Sequence, residues 1–282
     1  MSHKHSSATP QAAVTKGSIK NVSPLRYPGG KTRGCAPLLE ILKSHCTVDH
    51  YNAVVSPFFG GGSFEFKLQE LFGWIIIAND GFAPLINFWQ HAKSHNSELV
   101  QRVQSIHTGV TKEKLIGMRK ELPTMAPLEQ AACVFAINRS SFSGATLSGG
   151  FSEGAISGRF TPSSIQRLTN LDLSKTTFQN EDFTTFLDPL WSPNHLVFLD
   201  PPYYLESRSK LYGKAGDMHE AFPHEGLRDM LKGKNNWIMT YNDCEWVRKA
   251  YNEYLIIDAS WAYGMNKSKE SSEVVILPKP GV

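Results

Sequence analysis

Short apolar runs, each followed by a turn and then by sequence with helical periodicity, recur along this chain and constrain its fold more than any other feature. Tyr51–Val55 has the length and composition of a buried strand, and a glycine-rich turn leads from it into a helix near Ser63–Phe72. Trp74–Asn79 repeats the pattern, with a helix around Pro84–His95. Thr176–Asn180, His195–Leu199 and Trp237–Tyr241 are further strands with helical sequence behind them, and Tyr254–Trp261 and Ser272–Leu277 make a closing pair. Strands alternating with helices predict an α/β fold: a mixed, mostly parallel sheet covered on both faces.

Two stretches break the rhythm. Residues 1–20 are rich in Ser, Thr, His, Lys and Ala without periodicity and read as a disordered leader. Residues 97–173 turn helical around Leu99, Val103, Ile106 and Ala131–Ile137, then become rich in Gly and Ser at 140–151. A compact domain seldom carries so long an irregular stretch without a functional reason, so 97–173 reads as an inserted module facing a partner, between 21–96 and 174–282 of one domain.

Composition mainly excludes. No apolar run is long enough to span a bilayer and no signal-peptide core opens the chain. The four cysteines (Cys35, Cys46, Cys133, Cys244) form no C-x-x-C pair, which argues against structural zinc and for a reducing, cytoplasmic setting. His91 and His95 lie at helical spacing, but no glutamate follows His91 and no third ligand is near; a solvated helix face is the simpler reading and no metal is expected. A net charge of +3 is compatible with nucleic acid without arguing for it.

Three motifs carry chemistry. In Val-Phe-Leu-Asp-Pro-Pro-Tyr-Tyr (197–204) a buried strand delivers Asp200 to the sheet edge where open α/β folds bind ligands. Pro201 and Pro202 then remove two backbone donors, so carboxylate and carbonyls can only accept. That cluster suits a substrate amine donating two hydrogen bonds, with Tyr203 as a flat face for a planar base; a strand ending in a rigid turn is the plainer alternative. In Ser-Pro-Phe-Phe-Gly-Gly-Gly-Ser (56–63) a strand runs through glycines into a helix, as in many nucleotide-like sites. Asp80 stands twenty residues beyond Gly60, where an acid accepts from a ribose hydroxyl or caps a helix. The third motif, Leu-Arg-Tyr-Pro-Gly-Gly-Lys-Thr-Arg (25–33), has Leu25 where a phosphate loop needs glycine, which disfavours a nucleoside triphosphatase.

Together and in this order, these segments resemble the Dam-like (D12 class) N6-adenine DNA methyltransferases, from about Pro24 to Leu277. Asn180-Glu181-Asp182-Phe183, Thr240-Tyr241-Asn242-Asp243 and Tyr263-Gly264-Met265-Asn266 are similar to further motifs of that family, and Pro28 replaces an alanine frequent in its first. The resemblance implies a Rossmann-like fold, S-adenosylmethionine as cofactor, double-stranded DNA as partner and, in some cases, a cognate restriction endonuclease. It implies that Tyr27 and Lys31 meet the cofactor's methionine end or the active-site edge, that Phe59, Gly60 and Gly62 underlie the cofactor, that Asp80 takes its ribose, and that Asp182 and Phe183 take its adenine. Asp200, Pro201, Pro202 and Tyr203 are the implied catalytic motif, with Asp200 where cofactor and substrate meet.

Between Asn138 and Phe160 the chain combines cations, hydroxyls, aromatics and glycines, and Asn138, Arg139, Ser141 and Arg159 are expected to touch DNA. The target base would leave the duplex to reach Asp200. Cytosine-C5 chemistry needs a nucleophilic cysteine, typically after proline, and none of the four has that context. N4-cytosine methylation, methylation of a protein amide or RNA base, and a catalytically inactive DNA-binding relative are the rival readings.

Overall fold

The computed structural model describes residues 19–27, 31, 34–204, 222–260 and 272–279. Seven strands form one sheet in the order β3-β2-β1-β4-β5-β7-β6. They are β1 (Ala53–Ser56), β2 (Ile75–Asn79), β3 (Thr176–Gln179), β4 (His195–Leu199), β5 (Trp237–Asn242), β6 (Leu255–Ser260) and β7 (Ser272–Leu277). β1 to β5 are mutually parallel and β7 runs antiparallel to both β5 and β6. This is the Rossmann-like arrangement expected, and each strand lies within a residue or two of its sequence-predicted place. The strand order reverses between β1 and β4, the switch point beside which such sheets bind ligands.

The central strands are apolar on both faces because both are covered. Val54, Ile76, Leu196, Phe198, Ile238 and Val275 point into one core, while Val55, Val197, Leu199, Met239, Val274 and Ile276 point into another. The first core is built with α1 (Cys35–His45), α2 (Ser63–Phe72) and α3 (Ala83–Ser94). The second takes in α9 (Phe183–Leu187) and the helices His224–Met230 and Glu245–Ala250. Edge strand β3 alternates buried and exposed residues instead, as a strand with one open face does.

The 97–173 stretch is far more regular than its composition suggests. It holds α4 (Asn96–Thr108), α5 (Lys112–Glu121), α6 (Pro127–Ser140), α7 (Glu153–Arg159) and α8 (Pro162–Thr169). Proline opens α6 and α8, and Thr161 and Ser164 close a reciprocal capping box on α8. α6 is buried on every side from Ala131 to Ser140, packs against α3 and α4, and shares the first core with the sheet. Among the described residues no helix is long and apolar enough to cross a membrane.

Candidate active site

The turn after β1 is shaped by rings pressed onto its backbone. Gly62 has φ +66°, and a Cβ there would lie 2.2 Å from the Phe59 ring; at Gly60 it would lie 2.8 Å from Tyr27 Cε1. Only glycine admits that approach, so the first motif and the glycine turn meet at Tyr27. Buried Asp80 ties the turn to β2: Oδ2 accepts the Gly60 amide (2.9 Å) and Oδ1 the Phe82 amide (2.9 Å) at the entrance to α3. Burial pushes its carboxyl up to about 6. Both the ribose and the helix-cap expectations therefore bear on a carboxylate that already holds two backbone donors.

The neighbouring strand end is stitched in by amides. Asn79 Nδ2 donates to the carbonyls of Pro57 (3.2 Å) and Glu181 (3.1 Å), and Asn180 Nδ2 donates to the Asp80 carbonyl (2.7 Å). Beside them Phe183 packs with Phe58 and Phe222, its ring centroid 5.4 and 5.3 Å from theirs. Asp182 is exposed and turned back on α9, accepting from the Thr184 hydroxyl (2.5 Å) and amide (2.9 Å), which hold its carboxyl below the usual range. An Asp preceding a helix has its own amides to satisfy, and Asp182 is a helix cap in this structure.

β4 brings Asp200 to the same edge. Thr240 Oγ1, from β5, donates to Asp200 Oδ1 (2.7 Å), and Lys31 Nζ lies 2.8 Å from Oδ1 and 3.0 Å from Oδ2. Lys31 is only 3% exposed and also donates to Tyr203 Oη (2.9 Å). The Tyr203 hydroxyl in turn donates to Glu273 Oε1 (2.5 Å), and Glu273 Oε2 is 3.9 Å from Lys31 Nζ. The Tyr203 ring is backed by Tyr241 at 6.0 Å and 26°. Behind this cluster, Glu65 in the first turn of α2 is buried and accepts from Ser56 Oγ (2.6 Å). Burial pushes the Glu65 carboxyl up to about 7, against the pull of the Ser56 hydrogen bond.

Lys31, Asp200 and Tyr203 were thus expected at the site and are brought together, whereas Glu65 and Glu273 were not foreseen. The signal for Glu273 was an acid heading the apolar run Val-Val-Ile-Leu. Because β7 is antiparallel, it presents its first residues to the edge where β1 and β4 end, with Glu273 opposite Asn242.

On the inserted side, three of the four residues expected at DNA lie in the interior. Asn138 Oδ1 accepts the Arg26 amide (2.8 Å), and its Nδ2 donates to the carbonyls of Arg26 (2.8 Å) and Gly144 (2.9 Å). Arg139 donates through Nε and Nη2 to the Arg159 carbonyl (2.9 and 2.7 Å). Burial, with Arg26, Arg167 and Arg159 nearby, lowers its pKa to about 10. Ser141 is buried and donates to the Asn138 carbonyl (3.3 Å). The reason is their place at the end of α6: a helix buried on every side turns even its polar residues inward, onto backbone groups.

Arg159, the last residue of α7, is half-buried. Phe142, which sequence reasoning passed over, is 57% exposed. It opens a turn in which Ser143 has φ +56° and Gly144 φ +78°, where a Gly144 Cβ would meet the Arg26 carbonyl oxygen at 1.7 Å. The Tyr263–Asn266 motif, and Pro28, Gly29, Gly30, Thr32 and Arg33 of the first, lie outside the described residues. Among the described residues no group of three His, Cys, Asp or Glu side chains could hold a metal ion.

A family model described as D12 class N6 adenine-specific DNA methyltransferase matches residues 27–265. No curated protein matches the sequence. The matched span covers most of the chain and takes in Tyr27, the glycine turn, Asp80, the inserted helices and Asp200. The chain belongs to this family and is a DNA adenine methyltransferase.

Proposed function

We propose that this enzyme transfers a methyl group from S-adenosylmethionine to the N6 amine of adenine at a specific sequence in double-stranded DNA. The observation that carries the reading is Asp200, held from two sides by Lys31 and Thr240 at the C-terminal end of β4, one strand from the glycine turn. The turn suits the proposed cofactor. Gly60 and Gly62 let its backbone fold tightly under Tyr27 and Phe59, Asp80 braces it through the Gly60 amide beside the proposed ribose site, and the Phe58, Phe183 and Phe222 rings are an apolar surface for an adenine. When bound, S-adenosylmethionine supplies an electrophilic methyl group.

The lone pair of the adenine amine is delocalised into the ring, so the amine is a poor nucleophile. Asp200 and the Pro201 carbonyl accept its two N–H bonds, which draws the nitrogen toward tetrahedral geometry and localises the pair. Pro202 adds no donor to compete. Thr240 and Lys31 fix the carboxylate, so that orientation and local electrostatics supply most of the acceleration. Tyr203, backed by Tyr241, stacks the base, returning part of the few kcal/mol spent on unstacking.

Residues 97–173 face the DNA. Exposed Phe142 and half-buried Arg159 are its proposed contacts, and Asn138, Arg139 and Ser141 hold the shape of the turn from inside. Lys31 is proposed at the meeting of cofactor and base, and Asp182 at the rim near Phe183. The test is methyl transfer from tritiated S-adenosylmethionine to duplexes of varied sequence. Label confined to duplexes sharing one short sequence supports the reading; label independent of sequence, or absent with a calorimetrically bound cofactor, sinks it.

A further inference from the structure

Lys31 poses a problem for the chemistry just described. Its ammonium group lies against both oxygens of Asp200, and an ammonium committed to one carboxylate weakens that carboxylate as an acceptor for a substrate amine. A second carboxylate stands on another side: Glu273, 2% exposed, with Oε2 3.9 Å from Lys31 Nζ. The same side chain accepts the Tyr203 hydroxyl proton at 2.5 Å, while Tyr203 Oη accepts from Lys31 at 2.9 Å. A hydroxyl has one proton, so accepting from Lys31 and donating to Glu273 fixes its direction. The contacts form one oriented path, from Lys31 through Tyr203 to Glu273, with Asp200 at its other end.

We propose that Glu273 is a positioning residue for methyl transfer: from the start of β7 it fixes the Tyr203 hydroxyl and shares the charge of Lys31, keeping Asp200 available to the substrate amine. This rests on the reading of Asp200 as the amine's acceptor. The proposed action of Glu273 runs through Tyr203 and Lys31. An acid kept there for stability alone would show in the melting temperature and not selectively in kcat.

Glu273→Gln keeps the size and one acceptor oxygen but removes the charge. The folded variant is expected to lose about tenfold or more in kcat, with the KM for DNA and the Kd for S-adenosylmethionine within about threefold of wild type. Tyr203→Phe, which cuts the path while leaving Glu273 and Lys31 in place, is expected to show the same kcat-selective loss. The double variant should be no slower than the slower single variant, since both break one path. Glu273→Gln retaining more than about half of kcat, or two losses that multiply, overturns the proposal; should Glu273→Gln fail to fold, an unchanged kcat in Tyr203→Phe does so. Asp200→Ala distinguishes the underlying reading: undiminished transfer there refutes Asp200 as the acceptor, whereas an inert Asp200→Ala beside a normal Glu273→Gln refutes only the role of Glu273.

Discussion

Around Asp200 the buried polar groups are side chains, Lys31 and Glu273 among them, that bond to one another, while around Asn138 they are side chains that bond to backbone. In the first network Lys31 meets Asp200, Tyr203 and Glu273 side chain to side chain. In the second, Asn138 and Arg139 saturate the amide of Arg26 and the carbonyls of Arg26, Gly144, Arg159 and Pro24, and nothing in that set titrates near neutral pH. Buried charge is costly to desolvate and is weak evidence of a role in stability. Backbone groups must be satisfied wherever they are buried. The Asp200 network therefore reads as machinery and the Asn138 network as a clamp. The clamp grips Arg26, beside Tyr27 on the glycine turn and five residues before Lys31, so it also sets the inserted helices against the site.

Mutating both networks should separate these roles. Asp200→Ala is expected to abolish methyl transfer, by at least about a thousandfold in kcat or ~4 kcal/mol, with the fold intact. A purified variant keeping more than about a tenth of wild-type kcat removes Asp200 from the chemistry. Asn138→Ala should do the reverse. Stranding one amide and two carbonyls, it is expected to lower stability by roughly 2–4 kcal/mol in denaturant melts. A melt like that of wild type would mean that the clamp is ornamental.

Glu65 sharpens the comparison through pH. Its folded-state pKa of about 7 is above the ordinary 4.5, so the folded protein binds this proton more tightly than the unfolded chain does. Its favourable contribution is full at low pH and is lost as pH rises from about 4.5 to about 7. Glu65→Gln stays neutral and keeps an acceptor for Ser56, so it should be more stable than wild type at pH 8, by about 3 kcal/mol, and show almost no gain at pH 4.5. Equal gains at both pH values would show that Glu65 is not held neutral. The smallest effect falls on the outer surface: Arg159→Ala should lower kcat/KM by about 1 kcal/mol at unchanged cofactor affinity. A flattened salt dependence would mark a phosphate contact and an altered site preference a base contact.

Apolar runs such as His-Leu-Val-Phe-Leu and the turns beyond them could be read directly, because a parallel strand buried on both faces has few other sequences available to it. Asp200 and Tyr203 were visible for the same reason, standing in a motif beside such a run, whereas Lys31, with no strand before it, was expected only from the family resemblance. Glu273 was not, because its role depends on the antiparallel placement of β7, which no local pattern encodes. Glu65 sat in full view within Ser-Phe-Glu-Phe, but its burial comes from α2 packing onto the sheet. Asn138, Arg139 and Ser141 misled in the opposite sense: their residue types suit a DNA surface, yet the Ala-Ala-Cys-Val-Phe-Ala-Ile run before them embeds the helix on which they sit. Asp182 resembles a cofactor contact by position and is a cap by geometry.

The most direct test of the account is to digest duplex DNA treated with the wild-type enzyme and with Asp200→Ala, and to identify the methylated nucleosides by mass spectrometry. The wild type is expected to yield N6-methyldeoxyadenosine as the sole methylated deoxynucleoside, and the variant none. N4-methyldeoxycytidine from the wild type, or N6-methyldeoxyadenosine at an undiminished level from Asp200→Ala, would contradict that expectation.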